Sequence, residues 1–323
     1  MGRSHEAKTM TWRPSASLET LRARAELLAR MRTFFAARGV MEVDTPVLSA
    51  HGTVDVHIDS LRTADGRWLQ TSPEFAMKRL LAAGSGPIYQ LGHVFRAGDL
   101  GRNHNPEFLM LEWYRPGFDH HRLMDEMIEL LITLGVAPAG AVERISYRDA
   151  WREIAGVDPL TADAAALGRA LGRHEHAPEH AADFDRDAWL DFGMGFVVGP
   201  ELGHKTPVFV YDFPASQAAL ARVRPGPPPV AERFELIWKG LELANGFHEL
   251  GDAAEQRARF ESDRARREQA GRETPAWDAH LVEALAAGLP HCAGVALGVD
   301  RLLMLLLGLP EIGAAMPFAW DRA

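Results

Sequence analysis

Residues 89–115 read YQLGHVFRAGDLGRNHNPEFLMLEWYR, and this stretch decides the fold. Two short apolar runs, 88–95 and 108–114, predict a pair of strands. The loop between them concentrates charge, glycine and one proline. Arg96, Arg102, His104 and Glu107 stand there beside the aromatic Phe108. Cations next to a ring suit a polyanion that itself carries a flat ring, such as a nucleoside triphosphate. Taken alone, the same residues are equally a solvated hairpin loop.

Composition narrows the class. At 323 residues the chain can bury one large core or two modest ones. A single cysteine, Cys292, excludes an internal disulfide framework and suits a reducing cytoplasm. There is no apolar run of membrane-spanning length and no signal-peptide pattern over 1–17, so the expectation is a cytoplasmic protein with no membrane partner. The net charge of −9 supplies no overall basic field and weighs against a stable nucleic-acid partner.

In chain order, residues 1–17 are polar and read as a loose lead-in, leaving no room for a preceding anticodon-binding barrel. Apolar Leu21, Ala25, Leu28, Met31 and Phe35 predict a helix over 18–38, with Ser17 as N-cap and Gly39 past its end. Residues 40–43 read as a strand stopped by Asp44-Thr45-Pro46, and Val54, Val56 and Ile58 suggest another. Ser72-Pro73 opens a helix, with Glu74 in its first turn. A helix over 119–134 follows, and then a helical insertion at about 146–203, whose His174, His176 and His180 match no zinc spacing. Residues 206–213 return to strand character. Residues 231–248 read as two strands joined at Lys239-Gly240. Within and just beyond them, Glu235, Glu242 and Glu249 recur every seven residues. Carboxylates brought close repel unless a cation lies between them, and three surface glutamates are the plainer alternative. A charged helix over 252–270, with arginines read as a solvated face, precedes a shorter helix. The chain closes on Gly294-Val-Ala-Leu-Gly298-Val-Asp-Arg301 and an apolar helix over 302–307.

Phe95-Arg96 followed by His104-x-x-x-Phe108 resembles motif 2 of the class II aminoacyl-tRNA synthetases. The helix–strand–Pro46 order resembles their motif 1, and the Gly298–Arg301 segment their motif 3. HNPEF and LEWYR are similar to the lysyl branch. From about Leu18 to Ala323 the chain resembles that branch's short paralogues, the ligases that attach (R)-β-lysine to elongation factor P.

The resemblance implies an α+β fold, an antiparallel sheet flanked by helices, in one catalytic domain over 18–323 that dimerises through motif 1. It implies ATP and Mg²⁺ as cofactors. Arg96 and Arg301 would be catalytic, and Ala97, Gly98, His104, Asn105, Phe108, Glu242, Leu243 and Gly298 would join them in binding ATP. Glu235 and Glu242 would hold the metal. Ser72, Pro73, Glu74, Tyr114, Asn245, Glu249 and Ala296 would line the amino-acid pocket. Motif 2 departs from the family in carrying Gly98 where a glutamate is usual, with Asp99 one place later. The expected function is adenylation of (R)-β-lysine or lysine and its transfer to a lysine of elongation factor P. Two alternatives stand beside it: tRNA aminoacylation, and an inactive paralogue that binds lysine or nucleotide as a regulatory subunit.

Overall fold

Ser17, in extended backbone, accepts the N–H of Thr20 at 3.0 Å and so starts α1 (Leu18–Ala36). This computed structural model describes residues 12–179 and 181–323, so most of the expected lead-in, and His180, lie outside the described residues. The described end of the lead-in is pinned: the N–H groups of Ser15 and Ala16 donate to the carbonyls of Pro317 and Met316.

After α1 come β1 (Met41–Glu42), β2 (Leu48–Ser49), β3 (Trp68–Leu69), α2 (Glu74–Ala82), β4 (Ile88–Phe95), β5 (Glu107–Pro116) and α3 (His120–Thr133). The next stretch holds β6 (Glu143–Ser146), α4 (Tyr147–Ile154), α5 (Ala164–Leu171), α6 (Arg186–Gly193), β7 (Val208–Pro214) and β8 (Val223–Arg224). The chain then forms β9 (Val230–Trp238), β10 (Leu241–His248), α7 (Ala253–Gln269), α8 (Ala279–Gly288), β11 (Cys292–Gly298) and α9 (Val299–Leu307).

One sheet runs in the order β1-β4-β5-β11-β10-β9-β7-β6, with β8 on β9. Its interior is antiparallel as expected, but the outermost pairs, β1/β4 and β6/β7, are parallel. Parallel neighbours need a long crossover. The helical segment containing α4 to α6 is that crossover for β6 and β7, which is why it packs as an insertion beside the sheet. Its own core joins Tyr147, Trp151 and Trp189 to Phe213. The main core lies between the sheet and α1, α3 and α9, where Phe35 stacks on Tyr89 at 4.5 Å.

Several expectations shift. The buried stripe of α1 is Thr20, Arg24, Leu27, Met31, Phe34 and Phe35, while Ala25 is exposed. The stripe rotates because Arg24 is drawn inward to pair with the buried Asp300 of α9. No strand forms at 54–58. Arg267 instead takes the carbonyls of Asp55 and Ile58, and Arg272 that of Val56, so arginines replace a neighbouring strand as partners of this backbone. Arg267, only 2% exposed, therefore belongs to no solvated face. Helix α9 begins at Val299, which places Arg301 in its first turn.

Candidate active site

The sheet register assembles the site. Directly paired residues share a face, and Glu235 faces Asn245, Asn245 faces Ala296, and Ala296 faces Glu112 across β9, β10, β11 and β5. The adjacent row pairs Arg233 with Phe247, Phe247 with Gly294, and Gly294 with Tyr114. These rows floor a cavity of about 760 Å³. It is roofed by α2, the 49–60 loop and the motif 2 loop, and its mouth reaches Asp187, Asp191 and Gln217 beside the insertion.

One end of the cavity is rich in carboxylates. Lys78, 1% exposed on α2, lies 2.6 Å from Glu74 Oε1 and 2.6 Å from Glu249 Oε2. The first contact is a hydrogen bond. The second is a buried ion pair at the same distance. Burial opposes the Lys78 charge, but Glu249 and Glu74 outweigh it and raise its pKa. Glu112, 2% exposed, accepts from Ser72 Oγ at 2.7 Å and from Tyr114 OH at 2.7 Å. Burial, then the charge of Glu74, pushes Glu112 up to about 7. Burial likewise pushes Glu249 up to about 8 against the pull of Lys78. Three carboxylates thus share one lysine, an arrangement that lacks positive charge and suits an amine ligand. Gly294 is required here, because a Cβ on it would sit 2.3 Å from Tyr114 Cε1 and 2.6 Å from Glu249 Oε1.

The other end is cationic. Arg96 lies over the Phe108 ring at 5.2 Å. Its side chain makes no hydrogen bond among the described residues, and its Nε is buried without a partner. Burial works against its charge, and the nearby Glu242 and Asp99 only partly offset this. Arg301 is oriented by donating from Nε to Asn103 O at 3.0 Å and from Nη1 to Glu242 O at 2.9 Å. Burial, then Arg301, lowers the pKa of His104. Near neutral pH it therefore serves as a hydrogen-bonding imidazole rather than the extra cation the sequence suggests.

The motif 2 loop is held from far along the chain. Arg102 Nε donates to Pro310 O at 2.9 Å, and the Arg102 carbonyl accepts the N–H of Ile312. Asn105 Oδ1 accepts the N–H of Trp320 at 3.0 Å. Arg102 is thereby committed to structure and does not line the cavity.

All the expected amino-acid residues, Ser72, Pro73, Glu74, Tyr114, Asn245, Glu249 and Ala296, line the one cavity, as do Arg96, His104, Asn105, Phe108, Glu242, Leu243, Gly298 and Arg301. Ala97, Gly98 and Glu235 do not. Gly98 has φ +82° with open space about it, the Ala97 N–H is spent on Asp59 O, and Asp99 takes the place on the wall. Glu235, beside Asn245 on the same face and 7% exposed, is bonded to Arg233 at 2.6 Å, and burial followed by Glu242 pushes it up to about 7. A buried carboxylate destabilised by a second one, with oxygen donors only, fits a hard divalent cation. Lys78, Glu112 and Gly294 shape the carboxylate end of the cavity, and the sequence reading gave none of them a place there. Lys78 was signalled by its place four residues after Glu74 on one helix face.

Residues 3–322 match the family model for class II tRNA synthetases (D, K and N). The chain is 51% identical over 95% of its length to the elongation factor P–(R)-β-lysine ligase of Vibrio vulnificus, of which it covers 98%. To the proteins of the same name from Pasteurella multocida and Salmonella gallinarum it is 49% and 46% identical, over 97% and 98% of this chain and 98% and 100% of theirs.

Proposed function

As the chain belongs to the class II tRNA synthetase family of the D, K and N type, we propose that it is a cytosolic ATP-dependent ligase that adenylates (R)-β-lysine and transfers it to a lysine side chain of elongation factor P. The relatives that carry this activity in their names match it end to end. The observation that carries the reading is the polarity of the cavity: a half-buried Arg96 with its Nε unpartnered at one end and three carboxylates sharing Lys78 at the other. An amino acid with a second amine spans those ends with its charges matched.

In the first step an oxygen of the amino-acid carboxylate attacks the α-phosphorus of ATP, and the bond to pyrophosphate breaks. Two anions must meet, and Arg96 neutralises both. Phe108 and the fixed plane of Arg301 hold the adenine between them. Glu235 and Glu242 would hold Mg²⁺, which supplies charge neutralisation for the departing pyrophosphate. In the second step the acceptor amine attacks the acyl carbon and AMP leaves, the amine's proton passing to solvent at the open mouth. No protein nucleophile is needed, and Cys292, whose thiol burial pushes up to about 12, is inert. Exposed Met41, Val47 and Leu48 support homodimer formation through the segment that follows α1.

The test supplies labelled (R)-β-lysine, ATP and Mg²⁺ with elongation factor P and total tRNA together. The label is expected on the protein. Label on tRNA, or on neither acceptor, would overturn the reading.

A further inference from the structure

A second cluster of chemistry-bearing side chains lies on the face of the sheet away from the cavity. His120 opens α3, Glu232 lies on β9, and His248 ends β10, one residue before Glu249. One ligand atom from each lies within 4.8 Å of those of the other two. His120 is 1% exposed, and neither of its ring nitrogens has a hydrogen-bond partner. An imidazole buried in this way forfeits its bonds to water and gains nothing in return. We propose that His120, Glu232 and His248 form a binding site for a divalent transition-metal ion with the ligand preference of zinc.

The donor set is two imidazoles and a carboxylate, which leaves a fourth position open on a tetrahedral ion. His120 also has an outer carboxylate of the kind that orients a metal-bound ring, and the outer nitrogen of His248 faces a second imidazole. Asp212 Oδ1, otherwise unsatisfied, lies 3.5 Å from His120 Nε2. His291 Nε2 lies 2.8 Å from His248 Nε2, while His248 Nδ1 faces Glu232 Oε2 at 2.5 Å. Two ligands bound at ~2.0–2.1 Å on one tetrahedral ion lie roughly 3.3 Å apart, so entry of the ion widens that contact by under ~1 Å. Two arginines stand close. Arg224 pairs with Asp212 at 2.5 Å and lies 3.6 Å from Glu232 Oε1, leaving Oε2 to the cluster, and Arg222 lies 3.3 Å from His248 Nε2 on the side away from Glu232. His291 is exposed and lines a second cavity that also touches Arg222 and Glu249.

The experiment strips the full-length protein of metal and titrates it with Zn²⁺ against a chromophoric chelator, with Co²⁺ as a spectroscopic substitute. Expected are one ion per chain, a tetrahedral Co²⁺ spectrum and a higher melting temperature with Zn²⁺. His120→Ala and Glu232→Gln are each expected to weaken binding by more than the ~10–100-fold typical of losing an outer partner, and to abolish the melting shift. Circular dichroism of the metal-free variants verifies the fold, and His120→Gln replaces His120→Ala should the latter not fold. No stoichiometric uptake by the wild type overturns the proposal. So does uptake that survives both substitutions, or uptake lost instead in His174→Ala/His176→Ala.

Discussion

Gly294→Ala is a one-carbon perturbation whose effect follows from the geometry. The new methyl would lie 2.3 Å from Cε1 and 2.4 Å from Cδ1 of Tyr114. Carbon atoms rest at ~3.5–4.0 Å, so the ring must retreat by more than ~1 Å. It has little freedom to do so, being 2% exposed with its hydroxyl held by Glu112 at 2.7 Å. Overpacking of this kind costs about 1–3 kcal/mol of stability. Displacing the Tyr114–Glu112 pair by ~1 Å should lower kcat/KM for amino-acid activation on the order of 10²-fold. Pyrophosphate exchange into ATP, dependent on (R)-β-lysine, measures the second effect and urea unfolding the first. If the ring is the obstacle, Gly294→Ala should cost less in a Tyr114→Leu background, with a coupling energy of about 0.5–3 kcal/mol. Unchanged activity and stability in the single variant, or strict additivity in the double, would refute the reasoning.

Lys78→Met leaves the buried Glu249 and half-buried Glu74 without a cation, and is expected to destabilise the protein by about 3–5 kcal/mol in denaturant melts at alkaline pH, above the value at which Glu249 ionises; a loss under ~1 kcal/mol would show that the pair is solvated. Burial raises Glu112, Glu235 and Glu249 to about 7, 7 and 8 in the folded state. The native chain therefore binds more protons than the unfolded one from the ordinary carboxylate range up to those values. That stabilisation is complete at low pH and lost as pH rises through 7–8, so the unliganded protein should melt at lower denaturant at pH 8.5 than at pH 6. The same protons should leave as a diamine ligand binds near pH 7, and calorimetry in buffers of different ionisation enthalpy would register them; heats independent of buffer would exclude the idea. Ser72 and Ala296 flank Glu112, the first bonded to it and the second paired with it across β11 and β5. Ser72→Ala with Ala296→Gly should shift the kcat/KM ratio toward α-lysine, and an unaltered ratio would remove these residues from the specificity argument.

Much of the site was legible because it lies on strands. The hairpin turn at Lys239-Gly240 fixes the register of β9 on β10, and with it which glutamates share a face; both residues have the positive φ such a turn requires. The resemblance, not the spacing, singled out Asn245 and Glu249, and both line the cavity. Glu235 shares a face with Asn245 but is not on the cavity wall, and a bulge between Glu242 and Ala244 is what turns Glu242 onto that wall. Side chains that work through distant partners were invisible. Arg24 and Arg267 read as surface residues until Asp300, more than two hundred positions away from Arg24, and the 55–59 loop are seen to claim them. Lys78 looked like an ordinary helix lysine, because nothing local announces that Glu249 will meet it.

The clamp on the motif 2 loop imposes an order in time. Arg102 and Asn105 are fixed by Pro310, Ile312 and Trp320, residues the ribosome adds roughly 210 positions after the loop itself. At ~5–20 residues per second that interval is about 10–40 s. The hairpin can pair and the sheet can begin to form while the chain is being made, but the motif 2 loop lacks its anchor until those distant residues have been added. The carboxylate chamber waits in the same way, since its Glu249 and Gly294 also follow long after the hairpin, so both ends of the cavity are completed by residues made well after the strands that floor it.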